Sequence, residues 1–287
     1  MSTPIEAVSH RRESGTRRTV AYMFLAGCAI MLAAGYYENL VWLWSRWMDN
    51  PDYSHGPLIP LVSGTIVYLR RESLRQFTGD NGRGGLVLFA GAFLLQVVSR
   101  RMQVNFLESY AFILSIAGCI WFLFGRRVAS ELLFPICFLI FMVPFWGTAL
   151  DKVGNILKTM SSITSFHLIN FMGFPIHLDG VVLQLSRGSL EVADPCSGVR
   201  SLVSLLAVGT LMAYFSRIHW TKKVLVALLA VPFAFIWNTF RVVAFGIILE
   251  TTGVLISDGF WHTFTGLLVF ALALLSLFAV NKWVASK

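Results

Sequence analysis

The sequence predicts an all-α polytopic membrane protein, with about eight transmembrane helices and a small extracytoplasmic hairpin or cap before the sixth. Three observations carry this expectation. Of 287 residues, 56% are hydrophobic and 13% are charged, about half the charged share of an ordinary soluble domain. Mean hydropathy is +0.69. Apolar runs approaching about 20 residues, the length of one helical crossing, recur along nearly the whole chain.

Residues 1–18 are polar and basic and read as a disordered cytoplasmic N-terminus. The run Thr19–Tyr37 is long and lacks a small-residue cleavage site, so it reads as a retained first span rather than a signal peptide. Trp42, Trp44 and Trp47 after it have the character of an interfacial aromatic belt. The remaining spans are expected at 56–70, 84–99, 106–124, 131–147, 197–215, 223–248 and 263–281, within a single membrane domain, 19–281. A short cytoplasmic tail, 282–287, follows, with no soluble C-terminal domain. The second and third spans are short, so tilt or extended ends are expected.

Residues 148–195 differ. Asp151–Phe171 spaces its apolar residues in a mixed helical pattern and carries Lys152 and Lys158, as an interfacial helix or a further span would. Gly173–Val192 contains Gly, Pro and alternating stretches such as Ser189-Leu190-Glu191-Val192, which predict the hairpin or cap.

The formal net charge of +8 resides in short clusters between apolar runs. That is the pattern of encoded topology. No basic stripe is interleaved with aromatics, which argues against nucleic-acid binding. With the N-terminus inside, fifteen Lys/Arg face the cytoplasm and six face outward, Arg200 and Arg241 within spans completing the 23. Arg100-Arg101 runs against this bias. Were 151–171 a true crossing, Arg217, Lys222 and Lys223 would face outward, so an interfacial or re-entrant helix is favoured there. The chain is therefore expected to be multi-pass in a cytoplasmic (inner) membrane. No internal repeat of the inverted transporter kind is present.

Cys28, Cys119 and Cys137 lie in apolar runs as small core residues, without C-x-x-C spacing. His167, His177 and His219 show no ligand spacing. No metal or other cofactor is implied. Glu108 is expected to pair structurally with Arg100 or Arg101.

Three polar residues stand apart. Arg241 lies in the seventh span, about 18 residues and about 27 Å from its cytoplasmic start, hence in the outer leaflet. Asn238 shares its face. The plainer reading is that Arg241 snorkels outward or meets a structural carboxylate. His262 lies beside Trp261 at the outer start of the eighth span, as an ordinary interfacial histidine also would. Cys196 follows Pro195 at a helix start, where unpaired N–H groups and Arg200 favour thiolate; its plainer reading is a small residue in a tight turn. Asp194 reads as a helix cap. The topology brings Cys196, Arg241 and His262 to one depth on three helices. A thiolate nucleophile, an imidazole for proton transfer and a guanidinium for an oxyanion are what acyl transfer from a peptide bond requires.

The ordered set Pro195-Cys196-Ser197-Gly198-Val199-Arg200-Ser201-Leu202, Asn238-Thr239-Phe240-Arg241 and His262-Thr263-Phe264-Thr265-Gly266 resembles the exosortase/archaeosortase family of membrane cysteine transpeptidases. Tyr53-Ser54-His55-Gly56-Pro57-Leu58-Ile59-Pro60 and Phe141-Met142-Val143-Pro144 extend the likeness over roughly residues 40–280. Pro195 departs from the alanine that members often carry before the cysteine. The resemblance implies Cys196 as nucleophile with Arg241 and His262 as partners, supported by Asn238, Arg200, Ser197 and His55. It also implies substrates that are exported proteins with a C-terminal motif of PEP-CTERM type, a transmembrane helix and a basic tail. Association with exopolysaccharide export machinery is a further implication. Two rival readings are a transporter using Arg241 as an anion site and a non-catalytic export scaffold.

Overall fold

The computed structural model describes Gly27 and residues 30–74, 82–144, 147–192, 199–256 and 259–286, without the side chains of 147–151 and 199–201. Its contacts group into two compact units: the described residues up to Arg46 with Leu61–Val143, and Trp47–Pro60 with Pro144 onward. Helices α1 (Tyr37–Asp49) and α2 (Leu58–Leu69) run from one unit into the other.

In the first unit, α3 (Arg71–Leu74) is followed by the long apolar helices α4 (Arg83–Arg101) and α5 (Asn105–Phe124). Gln103 turns the chain between them at φ 55. The two helices touch backbone to backbone, because a Cβ on Gly118 would lie 2.7 Å from Phe89 N and one on Gly85 would collide with Phe122 N. Small residues permit such close approach between helices in lipid. Polar contacts complete the fit: Gln96 Nε2 donates to Gly35 O at 2.7 Å, Ser109 Oγ to Asn39 Oδ1 at 3.0 Å, and Tyr36 Oη meets Ser115 Oγ at 2.9 Å. Arg100 pairs with Glu38. Glu108, expected to pair with Arg100 or Arg101, is buried beside Gln96 and lies within electrostatic reach of Arg100.

The expected span 131–147 is broken into α6 (Arg126–Glu131), α7 (Leu133–Phe138) and a 3₁₀ turn, Leu139–Met142. Pro135 has no N–H for the Glu131 carbonyl, and its ring crowds that carbonyl, so the helix interrupts at Leu132. Val143 is extended, at φ −87 and ψ 123, as the residue before Pro144 should be.

The second unit begins with a 3₁₀ turn, Pro51–Tyr53, capped by Asn50, whose Oδ1 accepts from Asp52 N. The 25-residue helix α8 (Gly147–Phe171) follows Pro144. Gly173, at φ 87, closes it by donating to Asn170 O at 2.9 Å. The cap-like stretch is a three-stranded antiparallel sheet in the order β1-β2-β3: β1 (Ile176–Asp179), β2 (Val182–Leu185) and β3 (Gly188–Glu191). Period-2 alternation directs Leu183, Leu185 and Leu190 inward, where they join Val192, Ile169 of α8 and Val242, Val243, Phe245 and Leu249 of the seventh expected span.

Helices α9 (Val199–Phe215), α10 (Trp220–Leu228), α11 (Ala230–Thr252) and α12 (Phe260–Ala285) complete the unit. Leu205, Val226, Ala230 and Leu277 form their shared core. The break between α10 and α11 at Leu229 sits three residues before Pro232, which withholds a bond from the Leu228 carbonyl. Gly253 ends α11 in the left-handed region at φ 73.

The fold is mostly helical. Among the described residues, four helices are long and apolar enough to cross a membrane: Arg83–Arg101, Asn105–Phe124, Trp220–Thr252 and Phe260–Ala285. The other expected spans differ. Residues 56–70 yield the 12-residue α2, and the apolar part of α9 is the shorter stretch Leu202–Phe215. Most of Thr19–Tyr37 lies outside the described residues, and the chain after it is helical, carrying the exposed Trp44 on α1. Helix α8 is long but too polar to count among the four.

Candidate active site

Helix α11 positions Arg241 on its packed side. Asn238, Thr239 and Arg241 are 3%, 4% and 7% exposed, on a helix otherwise rich in apolar residues. Burying a guanidinium is costly, so its contacts matter. Arg241 Nη2 donates to the backbone carbonyl of His262 at 3.3 Å. Its guanidinium carbon lies 5.3 Å from the centre of the Phe245 ring, one helical turn on. The His262 ring lies 6.4 Å from the centre of that same Phe245 ring. Arg241 and His262 thus converge on one aromatic side chain, from two helices.

Helix α12 holds His262 in its first turn. Thr265 Oγ1 donates to the His262 carbonyl at 3.1 Å, so that oxygen accepts from both helices. Gly266, one turn after His262, leaves space beside the guanidinium: a Cβ there would stand 3.5 Å from Arg241 Nη1. Further along, Trp237 Nε1 donates to Ser276 Oγ at 3.0 Å and fixes the register of the two helices.

His55 is half-buried in the same unit, its Nδ1 3.3 Å from Ser204 Oγ of α9. Ser204 is one turn beyond Arg200, so His55 packs against the helix that follows the cysteine segment. Gly56 is enforced locally, because any Cβ there would strike the Trp47 indole. Cys196 and Ser197 lie outside the described residues, and Arg200 is described as backbone in the first turn of α9.

The sheet is pinned to the end of α11. Glu250 accepts from Ser186 N at 2.9 Å, and Arg187 Nη1 donates to Thr251 O at 3.0 Å. Sequence reasoning missed Phe245, Thr265 and Ser204. Two of them were findable: Phe245 is four residues after Arg241 and Thr265 three after His262, the spacings that share a helical face. Ser204 carries no such signal, because its partner is 149 positions away. Among the described residues no group of three or more His, Cys, Asp or Glu is placed to hold a metal ion.

Fold and site define a multi-pass membrane protein with a buried cation and an imidazole brought together by two of its long apolar helices. Residues 44–279 match the transmembrane exosortase family (Exosortase_EpsH), and the chain belongs to it. The family consists of membrane-embedded enzymes that process sorting signals by cysteine transpeptidase chemistry. No curated protein and no solved structure matches the chain.

Proposed function

We propose that this protein cleaves C-terminal sorting signals of exported proteins at the outer face of the cytoplasmic membrane, with Cys196 as nucleophile. The convergence of Arg241 and His262 on Phe245, inside a chain of this family, is the observation that carries the reading. His262 takes the proton of the Cys196 thiol, the resulting thiolate attacks the scissile carbonyl carbon, and the negative charge gathers on the carbonyl oxygen. The Arg241 guanidinium, desolvated on its helix, is suited to stabilise that oxyanion. As the intermediate collapses, the C–N bond breaks and the imidazolium of His262 gives its proton to the leaving amine. The product is a thioester on Cys196 and a free C-terminal helix with its basic tail. Water or an acceptor amine then resolves the thioester, with His262 as base.

The proposed topology keeps eight crossings, an interfacial α8 and the sheet on the extracytoplasmic side, within one domain at 19–281. Asn238, Arg200, Ser197 and His55 are assigned supporting roles, and association with exopolysaccharide export machinery belongs to the same proposal. The test is co-expression with a reporter ending in a sorting motif, an apolar helix and a basic tail. Replacing Cys196 with Ala should abolish cleavage while membrane insertion persists, and a thioester should be trappable on the native cysteine. Cleavage of the reporter by that variant at the native rate would refute the mechanism. A transporter using Arg241 as an anion site would tolerate the cysteine change and lose function with Arg241.

A further inference from the structure

The unassigned feature nearest this site is the outer edge of β3. Among the described residues β3 pairs only with β2, and its register sets Leu185 opposite Gly188 and Leu183 opposite Leu190. Leu185 and Gly188 flank the two-residue turn Ser186-Arg187, so they form a hydrogen-bonded pair. Alternation makes Leu183 and Leu190 the next such pair. Val192 N keeps the parity by donating to Val181 O at 3.1 Å. Ser189 and Glu191 therefore turn their N–H and C=O groups away from β2. No backbone group among the described residues meets them there.

An open edge of this kind is a template for another extended chain. Two observations tie this edge to the site. The sheet that presents β3 is built into the site, because Leu190 and Val192 share a core with Phe245, the ring that Arg241 and His262 both face. And β3 is the strand nearest the cysteine in sequence: five positions separate Glu191 from Cys196, a reach of no more than about 18 Å.

We propose that the edge of β3 binds the extended backbone of the substrate's sorting motif, pairing it with Ser189 and Glu191 so that the scissile bond is delivered to Cys196. This rests on the reading of the chain as a sorting-signal transpeptidase. It names the substrate feature recognised: an unfolded stretch of main chain, read through alternate amides, upstream of the substrate's membrane helix. The sheet's outer side chains near the edge, Ser189 and Glu191, are exposed and free to contact alternate substrate side chains.

The test uses the full-length enzyme in detergent with the reporter that the native enzyme processes. Glu191→Pro removes one outward N–H without touching the β2 ladder, whereas Glu191→Ala keeps it. The proline variant should lose about tenfold in kcat/KM relative to Glu191→Ala, the scale of one backbone hydrogen bond left unmade. Iodoacetamide should alkylate Cys196 at the native rate in both, which separates docking from nucleophile chemistry. A second measurement needs no turnover. In the Cys196→Ala background, Ser189→Cys should form a disulfide with a cysteine placed in the reporter's motif, while His177→Cys on β1 should not. Native kcat/KM for Glu191→Pro, or crosslinking at 177 rather than 189, overturns the proposal. Processing by Cys196→Ala would instead overturn the transpeptidase reading itself.

Discussion

Replacing Arg241 by Lys separates a catalytic guanidinium from a structural one. The Nη2 bond to the His262 carbonyl is 3.3 Å long, beyond the usual N–H···O range, so its net value is at the low end of about 0.5–1.5 kcal/mol. The cation–π contact with Phe245 at 5.3 Å adds about 0.5–2 kcal/mol in a desolvated setting. Lysine keeps the charge and forfeits the planar fork, so the stability loss should be about 1–2 kcal/mol. An oxyanion donor is worth more: removing one costs about 10²–10³ in kcat, or about 2.7–4 kcal/mol. The expected result is a protein that inserts, retains most of its thermal stability and processes the reporter at least about a hundredfold more slowly. Arg241→Met extends the test, because it removes the charge along with the hydrogen bond to the His262 carbonyl. It should be inactive yet stably inserted. Reporter cleavage by Arg241→Lys within about threefold of native, a difference under about 1 kcal/mol, would refute the assignment. So would a loss of activity no larger than the loss of stability.

Other predictions follow from single contacts. Leu183, at 0% exposed, joins the sheet to α11; Leu183→Ala should cost about 2–5 kcal/mol by the cavity rule, read as a lower unfolding temperature in detergent and as slower reporter cleavage. Gly85→Val should prevent α4 and α5 from closing, because its Cβ would meet the Phe122 backbone, and limited proteolysis of the purified protein should show new cuts in that helix pair. Ser204→Ala removes one partner of His55 and should cost about 0.5–1.5 kcal/mol in thermal stability, leaving iodoacetamide labelling of Cys196 unchanged. Gly266→Leu should fill the space beside Arg241, since even a Cβ reaches 3.5 Å from Nη1, and cleavage should fall while membrane insertion holds.

The membrane class, the two central spans of the first unit and the long helices carrying Arg241 and His262 were legible in the sequence. Hydropathy over about 20 residues is a local quantity, and those helices satisfy it alone. That Arg241 and His262 stand at one level on neighbouring helices was legible for the same reason, since rise per residue converts position into height. What the sequence could not supply was proximity in the membrane plane. That came from tertiary packing: the Arg241 bond to the His262 carbonyl and the Phe245 ring faced by both.

The helices that departed from expectation did so through effects that apolarity does not register. Pro135 interrupts one expected span and Pro232 breaks the helix before Arg241. Arg100 forms its ion pair with Glu38, while Glu108 lies beside Gln96 and within electrostatic reach of Arg100. The alternation in Gly173–Val192 announced strands, but a period of two does not say how many will pair. The third strand exists because its leucine and the following valine find Phe245 and Leu249 on a helix about 50 positions later in the chain. Sequence by itself determined which segments seek lipid and which residues carry charge into it, because those are properties of short stretches. Only the tertiary structure decided which of those charges meet, because burial is shared among segments that the chain order keeps far apart.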